Sequence, residues 1–325
     1  AGVHTSWLNQ RAEAGRAILL DPERDLFLEA PLTGPSRPAA ALLLALSSRA
    51  HEETGIRLEE AEVPYLNPRA LAAVADDKWN CFRRWRAAGV SSPDTCLLPA
   101  TDSAQTTRQT MAAFLARTQD DGPAGWVIQP RRGTEGMGVT LVPAGPAAID
   151  ELLRARKELA SSDDAILRPR VGLAGIADPA GPLAFDLRLH TCFDGVSYGA
   201  ESGYLLVAGS PDQPITSVAR GGRTGPCRLL GDAGLIDPEG RPIPWLPGHL
   251  EQARSLAIAA TAALGPVGLA GLDLKFDPRP EGLQATVLDL NPRPAGLLHA
   301  NLLDRDEPGI AAGLWRRLQN LTTPV

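Results

Sequence analysis

Apolar and polar positions along the chain fall into short blocks whose spacing switches between the two periods of regular structure. Ala17 to Leu20 followed by Asp21-Pro22 reads as a short strand entering a turn, and Ala39 to Leu46 with its flanks as a buried helix, which together predict an N-terminal α/β layer. Ala70 to Ala75 is apolar. Asp76-Asp77-Lys78 then leads into Trp79, Phe82, Trp85 and Ala88 at helical spacing, closed by Gly89 with Pro93 just beyond. Residues 103 to 118 give a further helix, and Gly122-Pro123 breaks the chain before the strand Trp126-Val127-Ile128. That strand empties into Pro130-Arg131-Arg132-Gly133-Thr134-Glu135-Gly136-Met137-Gly138, and β character resumes at Val139 to Val142, so a glycine-rich loop joins two strands.

The second half repeats the alternation. A helix over 147 to 160 precedes a strand at Ala165 to Leu167. Phe185 to Phe193 alternates up to the turn Asp194-Gly195, and Val196 to Ala200 returns, which predicts a hairpin. Gly209 to Gly225 is rich in Gly, Pro, Ser, Thr and Asp and longer than most connections inside a compact domain; such a loop usually covers a site. His249 to Leu264 is a long helix. Gly271 to Phe276 and Ala285 to Leu290 are strands separated by the polar turn Asp277 to Gly282, and residues 308 to 319 close with a helix. No internal repeat interrupts this order, and the fold class is α/β.

Composition narrows the function. Of 325 residues, 44% are hydrophobic and 22% charged, as in a soluble chain able to bury a core. The 32 Lys and Arg against 38 Asp and Glu leave a net charge of −6, so no basic field exists to hold a phosphate backbone, and nucleic acid is excluded as a partner. The apolar run Ala39 to Leu46 is far shorter than the roughly 20 residues of a bilayer span, and the basic-then-apolar order of a signal peptide is missing. A cytoplasmic protein without membrane contact is expected. Cys81, Cys96, Cys192 and Cys227 lie far apart, which suits buried, reduced thiols rather than a zinc cluster or disulfide framework. Only Lys78, Lys157 and Lys275 are lysines, so 32 − 3 = 29 basic residues are arginines, whose planar forks bind phosphate and carboxylate bidentately.

Three constellations carry chemistry. Gly133-x-x-Gly136-x-Gly138 would let the backbone approach a polyphosphate and turn its N–H groups toward the charge. Because Val139 starts a strand rather than a helix, and no Lys-Ser or Lys-Thr follows the last glycine, neither a Rossmann nor a Walker loop fits. Asp273 in one strand, with Asp289 and Asn291 at the end of the next, can converge on one face as oxygen ligands suited to Mg²⁺ carrying nucleotide phosphates. Arg188, Arg220 beside Gly221-Gly222, and Arg293 after Asn291-Pro292 could balance charge developing during phosphoryl transfer.

In this order the residues resemble the ATP-grasp superfamily of carboxylate–amine ligases, with matches over about residues 67 to 298. Asp77-Lys78 with Gly89-Val90-x-x-Pro93-x-Thr95 is similar to that family's Asp-Lys helix and its exit. Ile128-Gln129-Pro130 with Gly133-Thr134-x-Gly136-x-Gly138 resembles its strand and phosphate loop, as in the branch of ribosomal-protein glutamate ligases and glutathione-synthetase-like enzymes. Asp186-Leu187-Arg188, Arg220-Gly221-Gly222, and Asp273 with Asp289-x-Asn291 resemble its Asp-Ile-Arg strand, Arg-Gly-Gly loop and magnesium residues.

The resemblance implies an N-terminal α/β domain over 1–98, a central subdomain with the glycine loop over 99–168 and a C-terminal subdomain over 169–325, the last two being α+β subdomains that clasp ATP. Gln129, Gly133, Thr134, Gly136 and Gly138 would bind the nucleotide, with the adenine read somewhere in Arg168 to Val171. Mg²⁺ would sit on Asp273, Asp289 and Asn291, and Arg188, Arg220 and Arg293 would be catalytic. The partners implied are a small carboxylate and an amine, amino-acid- or peptide-like, joined through an acylphosphate in specialised metabolism; a homodimer is left open. Two lysines usual in the family are replaced by Phe82 and Gln129, so Arg83, Arg84, Arg131 or Arg132 would have to supply charge. Lactam closure by the same chemistry, or a nucleotide-binding scaffold that has lost catalysis, are the alternatives.

Overall fold

The computed structural model describes residues 3–6, 16–21, 26–31, 40–44, 48–118, 124–133, 136–159, 163–232, 234–280 and 282–294, with Leu314 and Arg317. Strands β1 (Val3–Ser6), β2 (Arg16–Asp21) and β3 (Leu26–Pro31) form an antiparallel meander, and β2 contains the strand expected at Ala17 to Leu20. The helix expected over Ala39 to Leu46 does not form at residues 40–44; the remainder lies outside the described residues. Ala41 instead pairs with Tyr65 in a parallel bridge, donating to Pro64 O at 2.9 Å and accepting from Leu66 N at 3.0 Å.

The helix lies further on, as α1 (Ser48–Glu60). Its buried stripe is His51, Thr54, Gly55 and Leu58, spaced correctly for a helix but mostly not apolar, so hydrophobicity does not reveal it. Two helices follow, α2 (Arg69–Ala75) and α3 (Lys78–Ala87). Asp77 caps α3 by accepting from Asn80 N at 3.1 Å, and Gly89 ends it with φ +69°.

Strand β4 (Cys96–Leu98), helix α4 (Ala104–Thr118), strands β5 (Gly125–Pro130) and β6 (Thr140–Pro143), helix α5 (Ala148–Glu158) and strand β7 (Ala165–Pro169) make a second layer. Its four strands are antiparallel in the order β4-β7-β5-β6. Met111, Phe114 and Leu152 from the helices pack on Trp126, Ile128 and Leu167 from one face of this sheet. The glycine loop connects β5 to β6.

The largest sheet comes from the rest of the chain: β8 (Gly175–Ile176), β9 (Leu183–Phe193), β10 (Tyr198–Val207), β11 (Arg223–Gly225), β12 (Leu235–Ile236), β13 (Pro242–Ile243), β14 (Leu269–Arg279) and β15 (Gly282–Asn291). At its centre β10, β9, β14 and β15 lie side by side, all antiparallel. Helix α6 (Leu229–Asp232) is short, and α7 (Pro247–Ala262) packs across all four central strands through Ala253, Ala257 and Ala260. The stretch at 209–225 is not wholly irregular: it holds a 3-10 turn at Val218–Arg220 and ends in β11.

The helix expected over 308–319 lies outside the described residues except for Leu314 and Arg317, both helical. All four cysteines are free; Cys96 is only half-buried, unlike the other three. No helix among the described residues is long and apolar enough to cross a membrane.

Trp85 joins α3 to the large sheet's core. It is 1% exposed, and its indole N–H donates to Ala260 O of α7 at 2.9 Å. Trp85→Ala should therefore lower unfolding free energy by about 3–5 kcal/mol, read as an earlier urea midpoint with unchanged slope.

Candidate active site

Strand alternation divides the large sheet into two faces. Phe185, Leu187 and Leu189 of β9 enter the core, so Asp186, Arg188 and His190 lie on the other side. Register carries this polar face across the neighbouring strands. Arg188 stands opposite Tyr204 of β10 and Asp273 of β14, and Asp273 stands opposite Asp289 of β15. The adjacent row is Ser202, His190, Gly271 and Asn291. The fold thus brings Asp273, Asp289 and Asn291 together, with Arg188 beside them.

Two carboxylates directly opposite each other repel, and cations converge on them from separate elements. Arg188 donates through Nε and, at 2.8 Å, through Nη2 to the two oxygens of Asp273. Gly271 leaves room for this, because a Cβ there would stand 3.2 Å from Arg188 Cδ. Burial, with Asp186 and Asp289 nearby, holds the Asp273 carboxyl above the usual carboxylate range despite Arg188. Asp289 is shifted the opposite way. Burial resists its ionisation, but Lys78 Nζ at 3.2 Å and Arg168 Nη1 at 3.3 Å outweigh that and hold it low.

A register slip between Asp273 and Leu274 leaves Leu288 outside the pairing, and its carbonyl accepts from Arg168 Nη1 at 2.9 Å. This bulge gives the Asp289 strand end its support from β7. The Arg168 side chain, 2% exposed, is thus directed to β15 and to Thr95 Oγ1 at 3.2 Å. Next to it, Gly172 N and Leu173 N donate to Asp277 Oδ1 at 2.9 and 3.1 Å, which ties the segment containing Val171 to β14.

Lys78 is the residue for which sequence reasoning assigned no role. Its Nζ donates to Gly133 O of the glycine loop at 3.1 Å while touching Asp289, so one ammonium joins loop and acidic strand. The signal available was rarity: it is one of three lysines and follows the helix cap directly. Arg131 fixes it there, binding Asp77 through Nε and Nη2, Asp164 through Nη1 at 2.9 Å, and Lys78 N through its own carbonyl at 3.2 Å. Arg132 reaches Asp77 at 3.5 Å. Both candidate cations at the loop mouth therefore contact Asp77.

The other predicted residues fall as follows. Gln129 is buried on the face of β5 opposite its helix-covered one. Gly136 and Gly138 have φ +70° and +69°, and a Cβ on Gly138 would meet Pro130 Cγ at 2.9 Å, so only glycine fits. Thr134 lies outside the described residues. Arg220 is exposed and donates to Gly136 O at 3.3 Å, bringing the long loop onto the glycine loop. The covering loop is tied down by Thr216 donating to Asp186, which also pairs with Lys275 Nζ at 2.8 Å. Arg293 is 6% exposed and bonds Asp76 at 2.6 Å, at the seam with α2 rather than in the Asp273–Asp289 row.

Among the described residues no three His, Cys, Asp and Glu side chains group to hold a metal ion. The fit to Mg²⁺ rests instead on two opposed carboxylates and the amide oxygen of Asn291, a hard oxygen set that leaves positions for phosphate and water. The raised Asp273 carboxyl marks a place where further positive charge is favourable.

No family model and no curated protein matches the sequence. Solved structures do match in shape. A D-alanine–D-alanine ligase from Coxiella burnetii aligns over 94% of this chain and 74% of its own, with TM-score 0.57 and 15% identity. D-cycloserine synthetase DcsG aligns over 84% and 80%, with TM-score 0.54 and 19% identity. The ATP-grasp ligase PsnB, solved with a minimal precursor, aligns over 97% and 88%, with TM-score 0.51 and 15% identity. What survives at such low identity is architecture, and the fold of this chain is that of the ATP-grasp ligases.

Proposed function

We propose that the chain is an ATP- and Mg²⁺-dependent carboxylate–amine ligase for small amino-acid-like substrates. The observation that carries this reading is Lys78, bridging the glycine loop at Gly133 and the acidic strand end at Asp289. Under this reading the glycine loop holds phosphate and the acidic strand end holds metal, and Lys78 puts a cation where the two meet. Bound between Asp273, Asp289 and Asn291, Mg²⁺ would neutralise β- and γ-phosphate charge.

The chain's own groups then have defined tasks. Backbone N–H groups of the glycine loop and Lys78 hold the phosphates, while Gln129 contributes hydrogen bonds without charge. A substrate carboxylate oxygen attacks the γ-phosphorus, and the bond to the β-phosphate oxygen breaks to release ADP. Arg188 and Arg220 stabilise the transferring oxygens. An amine then attacks the acyl carbon, phosphate leaves with the C–O electron pair, and the amine proton passes to solvent. No protein nucleophile is required. Arg293 is held by Asp76 at the seam with α2, outside the Asp273–Asp289 row, and is given no part in phosphoryl transfer.

Turnover across a panel of amino-acid and dipeptide pairs should yield ADP and inorganic phosphate, with hydroxylamine trapping the acylphosphate; AMP and pyrophosphate would exclude the mechanism. Lys78→Met should lower kcat/KM for ATP by at least about tenfold, since a lost charge-assisted contact is worth about 1.5–3 kcal/mol. Asp289→Asn should abolish ADP release, and near-normal release at saturating Mg²⁺ would remove this strand end from the metal site. Arg220→Ala should depress kcat more than KM, because Arg220 is assigned to the transferring oxygens rather than to holding ATP; steady-state kinetics with ATP varied separates the two.

A further inference from the structure

We propose that Asn67 is a positioning residue whose carboxamide completes the β14–β15 ladder where that ladder runs out, fixing Asn291 and Arg293 against Asp273 and Asp289. The inference rests on the ligase reading only for the meaning of that strand end. The β14–β15 pairing stops at Gly271 and Asn291. Beyond it, Pro292 has no N–H to continue the ladder. Asn67 fills the gap: its Nδ2 donates to Leu269 O and to Pro292 O, both at 2.6 Å, and its Oδ1 accepts from Gly268 N at 2.8 Å. One side chain, 3% exposed, thus satisfies three main-chain groups on the two strand ends.

The backbone is shaped for this. Asn67 has φ +58°, a left-handed conformation that asparagine accepts more readily than most residues. Gly268 permits the approach, since a Cβ there would lie 2.7 Å from Leu66 Cδ2. The helix beginning two residues later, α2, ends at Asp76, which grips Arg293. Residues 67 to 76 therefore hold the chain just after Asn291 twice, by the Pro292 carbonyl and by the Arg293 guanidinium. A proposed ligand at a strand terminus, where fraying is cheapest, is held from outside the sheet.

The test uses Asn67→Asp and Asn67→Gly in the full chain. Asn67→Asp keeps size and the acceptor for Gly268 but sets an oxygen against two carbonyls; Asn67→Gly keeps the left-handed backbone and removes the bracket. Expected for either variant is a fall in kcat and a rise in half-saturating Mg²⁺ of about tenfold or more, with KM for ATP nearly unchanged, as for partners that orient metal ligands. Mn²⁺ binding in the presence of a non-hydrolysable ATP analogue, followed by electron paramagnetic resonance, should weaken by a similar factor. Hydrogen exchange should accelerate over 266–272 and 288–293 but not in β5 or β7. Unchanged metal dependence and exchange in a folded variant would overturn the proposal, and so would unfolding of both variants, since the role would then be global stability. If the wild-type chain bound no Mn²⁺–nucleotide, the ligase reading would fall, and exchange alone would decide: acceleration confined to the strand ends supports the bracket, and its absence overturns it.

Discussion

Asp273 and Asp289 face each other across paired strands, and the arrangement is tolerable only if positive charge reaches both. The fold supplies it from three directions: Arg188 on the adjacent strand β9, Arg168 at the end of β7 in the other sheet, and Lys78 at the start of α3. Each carrier is anchored elsewhere. Arg168 is buried against Thr95, and α3 is fixed by the Asp77–Arg131 pair at one end and by Trp85 on α7 at the other. Removing one partner of a buried pair costs about 3–5 kcal/mol. Asp273 and Asp289, 16% and 21% exposed, keep some water and fall at or below the lower end of that range.

Two loops also meet beside this polar face. Thr216 holds the long loop to Asp186, and Arg220 holds its far side to Gly136, whose Cα lies so near Ile215 that a Cβ would come within 3.1 Å. The long loop is folded on its own glycines: a Cβ on Gly222 would meet Thr216 O at 2.2 Å. Met137 and Val218, 65% and 57% exposed, stand next to these contacts and offer apolar surface at both loop tips. The two loops are thus held to each other beside their exposed apolar tips.

Elements whose apolar spacing matched their period were legible in the sequence: α3, α4, α5, α7, the β9–β10 hairpin and the β14–β15 pair. Where polar residues filled the buried stripe, as His51 and Thr54 do in α1, hydrophobicity pointed to the wrong segment, the apolar run at Ala39 to Leu46. Acidic residues of the site were legible for a similar reason, since strand alternation alone puts Asp289 and Asn291 on one face. Their cations were not. Lys78 meets Gly133 and Asp289 across 55 and 289 − 78 = 211 residues of sequence, and Arg131, nominated for phosphate, contacts Asp77 and Asp164. Local pattern specifies faces; which charge meets which is decided by how sheets and helices pack.

Lysine at two positions suits the donor geometry found there. Lys78 and Lys275 each touch one carboxylate and one backbone carbonyl, Asp289 with Gly133 O and Asp186 with Phe185 O; Arg168 does likewise on Asp289 and Leu288 O through Nη1. Arg188 on Asp273 and Arg131 on Asp77 lie instead in fork contacts. An ammonium carries three donors pointing in tetrahedral directions, whereas a guanidinium's five lie in one plane. Two acceptors in different directions account for two of the three donors. Under the ligase reading, the third donor of Lys78 is the one a phosphate oxygen takes. Charge absent at Phe82 and Gln129 is then recovered from a helix start already needed to neutralise Asp289.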